Sequence, residues 1–300
     1  MSARDISIRS GDYLAAVVGL AILRDLFHEP EQIARRADDL RQIADHADEF
    51  PFDIAVRFVE EDVEAGYTEW SAVYDAPGTN PAIITEEALV LPVLERVAAG
   101  GAGRALDVAC GTGRHVGNLL RLGFDTCGVD ATDAMLARAR SKHPDARFEH
   151  ASWDALPFAD GEFDIITCSL ALCHSPAVAG PIAEMARVLA PGGTLLISDM
   201  HPNTTLLGGA AVYPGDGFER APFVRNHVHH VSEYFTAVRA AGLTLDELHE
   251  RPNDIDAAKL LPSYAVFPEA SERAFANAPT ILCLVATKPT RPTRATPRLA

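Results

Sequence analysis

The residues most able to do chemistry lie between Arg104 and Asp130. An apolar run, Arg104-Ala-Leu-Asp-Val-Ala109, leads into Cys110-Gly111-Thr112-Gly113, and a helical pattern follows. Glycines at such a turn let the backbone bend sharply and approach a ligand, beside a helix N-terminus that favours negative charge. Dinucleotide-binding proteins use a similar loop, but two features separate the cases. The next glycine after Gly113 is Gly117, so the third glycine of the dinucleotide fingerprint is missing. Asp107 precedes the loop, where a carboxylate would repel a pyrophosphate and hold a primary ammonium. The following strand ends in Gly128-Val129-Asp130 with Ala131 after it, and an acid in that place accepts both hydroxyls of a ribose.

Other candidates are histidines and aromatics. His174 follows Ser169-Leu-Ala-Leu-Cys173 at the end of one apolar run, and His201 follows Asp199-Met200 at the end of another. An imidazole can take a proton from an acceptor hydroxyl near neutral pH or bind a metal. No ligand motif with carboxylates accompanies His174, His201 or the His227, His229, His230 cluster, so no metal is expected and His174 and His201 are the expected catalytic residues. Tyr67, Trp70 and Tyr74 lie at i, i+3 and i+7, a stripe that reads either as core packing or as a lid over a ligand.

These residues need elements to hold them. From Glu86 onward helices and strands alternate: helix to Ala98, ended at Gly100-Gly101, then strand Ala105 to Ala109 and a helix after Gly113. Strand Thr126 to Val129, helix Asp133 to Lys142 and strand Ala146 to Glu149 come next. Strand Phe163 to Ser169, helix Ala179 to Val188 and strand Thr194 to Ser198 complete the alternation. This predicts an α/β fold, Rossmann-like and doubly wound, with a mostly parallel seven-stranded sheet. Ligands of such sheets sit beyond the strand carboxyl ends, where strand order reverses. Pro202 to His230 is rich in Gly, Pro and His and reads as irregular. Ser232 then caps a helix, Glu233 to Ala241, and Leu243 to His249 and Thr280 to Thr287 give the last two strands. At the other end, Leu14, Val17, Val18, Ala21 and Ile22 recur at helical spacing, and Ile33, Ala37, Leu40 and Ile43 form a second stripe after Pro30. Pro51 opens a third helix, with Ile54, Phe58 and Val63 as its buried side. The expected division is an N-terminal helical cap (1–66), a ligand-binding domain (67–288) with an acceptor-side insertion at about 200–231, and a disordered tail (289–300).

Composition limits the partners. Of 300 residues, 48% are hydrophobic and the net charge is −16, which argues against nucleic acid, bound by clustered Lys and Arg. Residues 1–75 hold 17 Asp or Glu against 7 Arg, the pattern of solvated helix faces. No run approaches the roughly 18 apolar residues of a membrane span, and the early run Tyr13 to Leu23 lacks the basic start and cleavage site of a signal peptide, so none is expected. Five cysteines without close pairing suit reduced, buried thiols in a cytoplasmic protein. A homodimer through the N-terminal helices is a further expectation.

From about Tyr67 to Lys288 the sequence resembles the class I S-adenosylmethionine (SAM)-dependent methyltransferases. Their first motif appears as Asp107-Val-Ala109-Cys-Gly111-Thr-Gly113, with Ala109 in place of the first glycine. Their ribose-binding acid matches Asp130, and Met135 matches a residue that packs against adenine. Phe158-Ala-Asp160-Gly161-Glu-Phe163-Asp164 and Arg187-Val-Leu-Ala-Pro191-Gly192-Gly193 match the turns before the fourth and fifth strands. Ser152 stands where many relatives carry an Asp, and Ser152-Trp153 is similar to the glycine N-methyltransferase group, whose Trp packs on adenine. The resemblance implies SAM as cofactor, held also through Ala131 and Ser169, under a lid carrying Tyr67, Trp70 and Tyr74. It implies transfer of a methyl group to an O or N atom of a small-molecule acceptor, with secondary metabolism as one setting. Two alternatives stay open: a SAM-binding protein without methyl transfer, and a NAD(P)-dependent oxidoreductase, disfavoured by Asp107 and the missing glycine.

Overall fold

A computed structural model describes residues 5–76, 80–99, 103–215, 219–252 and 259–290. Beginning at the N-terminus, strand β1 (Asp5–Arg9) runs into helices α1 (Ser10–Asp25) and α2 (Ile33–Asp45). Strand β2 (Ala55–Glu61), helix α3 (Val63–Trp70) and helix α4 (Pro81–Val97) lead to the alternating region. There β3 (Arg104–Val108), α5 (Arg114–Arg121), β4 (Asp125–Asp130), α6 (Asp133–Lys142) and β5 (Arg147–His150) follow one another. β6 (Phe163–Ser169), α7 (Ala179–Val188) and β7 (Leu189–Met200) complete it. Then come α8 (Pro202–Leu206), β8 (Ala211–Val212), β9 (Arg220–Val224), α9 (Val231–Ala240), β10 (Thr244–Pro252), α10 (Pro268–Phe275) and β11 (Pro279–Thr287).

The large sheet has the order β5-β4-β3-β6-β7-β11-β10. Neighbours from β5 to β7 pair in parallel, and β11 runs antiparallel to both β7 and β10. This is the expected seven-stranded, mostly parallel, doubly wound sheet. Its strands are apolar on both faces because helices cover both. Ala105, Ile165, Leu196 and Cys283 pack with α4, while their neighbours Leu106, Ile166, Ile197 and Leu284 pack with α7 and α9. The five cysteines are free and buried. Order reverses at β3, whose partners are β4 on one side and β6 on the other.

Several local expectations are corrected. The third helix, expected from Pro51, is instead β2, whose Ile54–Phe58 alternation serves a strand; Ile54 and Val63 are exposed, Phe58 is half-buried, and Phe52 takes the core position. β2 pairs antiparallel with β1 and parallel with β9, giving a second sheet of order β1-β2-β9-β8. The stretch Pro202 to His230 is therefore not irregular throughout: it supplies α8, β8 and β9. The cap of α9 is His230, two residues before the expected Ser232, with Glu233 returning a side-chain contact to the cap N–H. α1 and α2 pack against α10 through Leu14, Val18, Ile43 and Phe267. The helix stop at Gly100-Gly101 and the tail from residue 291 lie outside the described residues. Among the described residues no helix is long and apolar enough to cross a membrane.

Gly128 in β4 shows how closely the strands under the site are packed. A Cβ there would lie 2.8 Å from Phe148 and 2.9 Å from Cys110 Sγ. Gly128→Ala should lower unfolding stability by about 1–3 kcal/mol through overpacking, read from urea denaturation. An unchanged midpoint would mean that Phe148 moves aside freely.

Candidate functional site

A cavity of about 480 Å³ opens beyond the carboxyl ends of β3, β4 and β6, at the point where strand order reverses. Its floor is the glycine loop. Ala109 (φ 54°), Gly111 (φ 53°) and Gly113 (φ 83°) all take left-handed backbone, so Ala109 keeps the conformation of a glycine position. A Cβ on Gly111 would meet nothing within 4 Å, because that residue faces the open cavity. Gly113 instead caps α5, and a Cβ there would crowd Ala139 and His143 of the neighbouring segment.

Asp130 sits at the cavity wall. Gly111 N–H donates to its Oδ2 at 2.8 Å and Thr132 N–H to its Oδ1 at 2.8 Å. Burial pushes this carboxyl up, and those two backbone donors pull it back. Each oxygen keeps a second acceptor site, so the carboxylate is oriented and can still receive two hydroxyls. Ala131, Ser152, Trp153 and Ser169 also line the cavity, and Trp153 is half-buried against the main core. Ser169 Oγ is buried without a hydrogen-bond partner among the described residues. The oriented acid, the open space over Gly111, the indole and the orphaned hydroxyl together fit a nucleoside ligand.

Four of the expected contacts do not line the cavity. Asp107 is buried beneath the floor, where Thr167 Oγ1 donates to it at 2.7 Å; burial raises its carboxyl, against His115 and that hydrogen bond. Beside it Glu86, from α4, accepts from Arg114 (2.6 Å), His115 (3.0 Å) and Ser198 (2.7 Å). Burial alone would raise Glu86, but His115 and Arg114 outweigh it and hold it down at about 2. Met135 is wholly buried, and Gly113 serves α5. Trp70 is buried too, stacked on Tyr213 at 5.2 Å, so only Tyr67 and Tyr74 of the aromatic stripe reach the cavity.

Tyr67 brings α3 to His174. Its hydroxyl donates to His174 Nε2 at 2.8 Å, and His174 Nδ1 donates to the Arg225 carbonyl at 3.0 Å. A carbonyl only accepts, so the proton sits on Nδ1 and Nε2 is left as the acceptor. Burial lowers the His174 pKa below the usual 6.5, and burial pushes Tyr67 well above the usual 10. The pair is therefore a neutral imidazole facing a neutral phenol. His174 sits on a turn pinned by one loop: besides the Arg225 contact, His227 N–H donates to Cys173 O at 2.6 Å and His229 Nε2 to Ser175 O at 2.8 Å. The histidine cluster thus buttresses the turn. His201 lies outside the cavity, with Nδ1 receiving Asn203 N–H at 3.2 Å and Nε2 donating to Glu250 at 2.8 Å.

Leu170, Thr132, Glu64 and Asp154 line the cavity as well, and none of them is among the expected residues. Leu170 holds a left-handed φ of 53° at the end of β6, and a left-handed leucine carries no signature in sequence. Thr132 was legible in principle, since it follows the ribose-type acid by two residues. A clasp also ties the segment after α3 to the floor: Thr112 Oγ1 and Lys142 Nζ each donate to Asp75 at 2.8 Å.

A family model described as "Methyltransferase domain" matches residues 106–197. The demethylmenaquinone methyltransferase of Beutenbergia cavernae is 42% identical over 97 residues, 32% of this chain and 40% of that protein. Methyltransferase GfsG of Streptomyces halstedii is 31% identical over 215 residues, 69% of this chain and 74% of that protein. An S-adenosylmethionine-dependent methyltransferase structure from Mesorhizobium loti superposes with a TM-score of 0.50 at 24% identity, covering 66% of this chain and 96% of that one. The chain spans only 40–52% of the length of several curated relatives it matches.

Asp130→Ala should weaken SAM binding by about 2–3 kcal/mol, since two hydrogen bonds to a charged acceptor are lost. Titration calorimetry on the folded variant reads this, and unchanged affinity would move the ribose site elsewhere.

Proposed function

The chain belongs to the class I SAM-dependent methyltransferases, and from that premise we propose that it moves a methyl group from SAM to a hydroxyl of a small-molecule acceptor. The observation that carries the choice of a hydroxyl is the His174–Tyr67 pair at the cavity wall. When bound, the cofactor supplies an electrophilic methyl on a sulfonium. Asp130 would hold the ribose, Trp153 would cover the adenine face, and the Gly111 backbone would lie against the methionine end. Asp107 places negative charge beneath the floor, favourable to an ammonium there, while the charge of Glu86 is met by Arg114.

A hydroxyl is a weak nucleophile until its proton leaves. The acceptor hydroxyl donates to Tyr67 Oη, Tyr67 passes its own proton to His174 Nε2, and the imidazolium is held by Arg225 O at Nδ1. α3 and the Ser175-Pro176-Ala177 turn, both at the cavity wall, exclude water and set the approach of the acceptor; such positioning can supply roughly 7–11 kcal/mol. Secondary metabolism is the setting we propose. A second reading has its own support. Glu64 and Asp154 put carboxylates on the cavity, and among the described residues no Lys or Arg lines it, which suits an amine acceptor that needs little base catalysis.

The two readings separate by pH. Because burial holds His174 below 6.5, base catalysis predicts a rate that rises with pH along a limb below 6.5 and is flat above it. His174→Asn should remove the limb and lower the rate by roughly 10²–10⁴-fold, with SAM affinity little changed. Tyr67→Phe should do the same to a smaller degree. Wild-type rate and profile in both variants would end the hydroxyl reading, and a profile following the acceptor amine would support the other. S-adenosylhomocysteine must appear as product in either case. Its absence would leave binding without transfer.

A further inference from the structure

The small sheet has one face on which no apolar side chain is fully buried among the described residues. Directly paired residues share a face, and the pairs Ile6–Phe58, Ile8–Val56 and Val212–Phe223 all fall on the same one. Phe58 also pairs with Ala221, which joins the β1–β2 half of the face to β9. The opposite face is the inward one: Pro222 and Val224 are buried, and Val224 packs with Trp70 and Tyr213. On the outward face no apolar side chain is buried. Ile6 and Val212 are each 44% exposed, and none of these residues joins any core cluster. The Glu60–Arg225 ion pair closes the face at its far end.

The edge of this sheet points to the occupant. Among the described residues β1 pairs only with β2, so its other edge offers backbone groups that no described strand takes up. Its sequence, Asp5-Ile6-Ser7-Ile8-Arg9, is self-complementary when read against an antiparallel copy of itself. With Ser7 opposite Ser7, Asp5 of one strand meets Arg9 of the other at both ends and each Ile6 meets an Ile8. That register keeps both isoleucines on the apolar face, whereas a slip by one residue would put them on the charged face. A two-fold axis through Ser7 would join the two small sheets and make one continuous apolar surface.

We infer that the small sheet is the contact between two copies of this chain, paired antiparallel through β1 with the Ile6 and Phe58 face shared across the join. This is an alternative to the contact expected through the N-terminal helices, and it is independent of the chemistry assigned to the cavity.

Charge reversal tests it, with sedimentation velocity of the full chain over about 1–100 µM as the reading. Wild type should show a reversible dimer. Asp5→Arg sets Arg against Arg9 across the axis, and Arg9→Asp sets Asp against Asp5. Each single variant should weaken the dimer about tenfold, since two unfavourable pairs arise per dimer. The double variant Asp5→Arg/Arg9→Asp restores opposite charges across the axis and should recover most of the affinity. It does not restore the contacts of Asp5 with Arg57 or of Arg9 with Asp48 within one chain, so recovery belongs to the interface. Ile6→Lys should leave only monomer. A wild type that is monomeric throughout, or a dimer indifferent to all four variants, overturns the inference; the first outcome would give the face to a different partner and the second would move the dimer contact elsewhere.

Discussion

The parallel pairing of β2 with β9 is the constraint on which the site depends. The two strands lie some 160 residues apart in sequence yet end together, Glu61 beside Val224. From the end of β2 the chain turns into α3 and presents Tyr67; from the end of β9 it presents the Arg225 carbonyl. These are the two partners of His174, one on each ring nitrogen. A single strand pairing therefore settles where His174, the proposed base, sits, which tautomer it holds and what hydroxyl it faces. Ion pairs reinforce the pairing: Arg220 reaches Glu61 and Glu69, and Arg225 reaches Glu60. Gly66 lets α3 come close, since a Cβ there would lie 2.4 Å from Val224.

Beneath the cavity the problem is electrostatic. Asp107, Asp130 and Glu86 are three carboxylates taken largely out of water. Each is answered by different means: a hydroxyl from β6 for Asp107, two backbone N–H groups for Asp130, and a guanidinium with an imidazole and a hydroxyl for Glu86. Only for Glu86 do the partners outweigh burial. Asp107 and Asp130 consequently leave negative charge beside the cavity, while the charge of Glu86 is met by Arg114.

Sequence made the central sheet readable because its signals are local. α6, β6 and α7 begin and end where Asp133–Lys142, Phe163–Ser169 and Ala179–Val188 predict. The acid ending β4 and the glycines after β3 carry their meaning in adjacent residues, and Asp130, Ala109 and Gly111 do meet at one cavity. What was lost was non-local. Ile54 and Phe58 fit a helix stripe as well as a strand, and only strands distant in sequence, β1 and β9, decide between them. Motif position also does not say on which side of the backbone a side chain emerges. That is why Asp107, Met135 and Trp70 proved to be support behind the cavity instead of its wall. His201 illustrates the same limit, because Glu250, which engages it, comes from β10.

The order in which the chain is made gives the β2–β9 pairing a temporal meaning. Domains fold broadly as they emerge during synthesis, N-terminal part first. Here β1 and β2 emerge early but cannot complete their sheet until residues 211–224 arrive, and β11 must then slide between β7 and β10. A ribosome-bound chain that has reached residue 200 would hold the glycine loop, Asp130 and the His174 turn without the loop that pins the turn. Loop closure over such separations is slow, so the Arg225 carbonyl reaches His174 only late in assembly, after the glycine loop and Asp130 are in place.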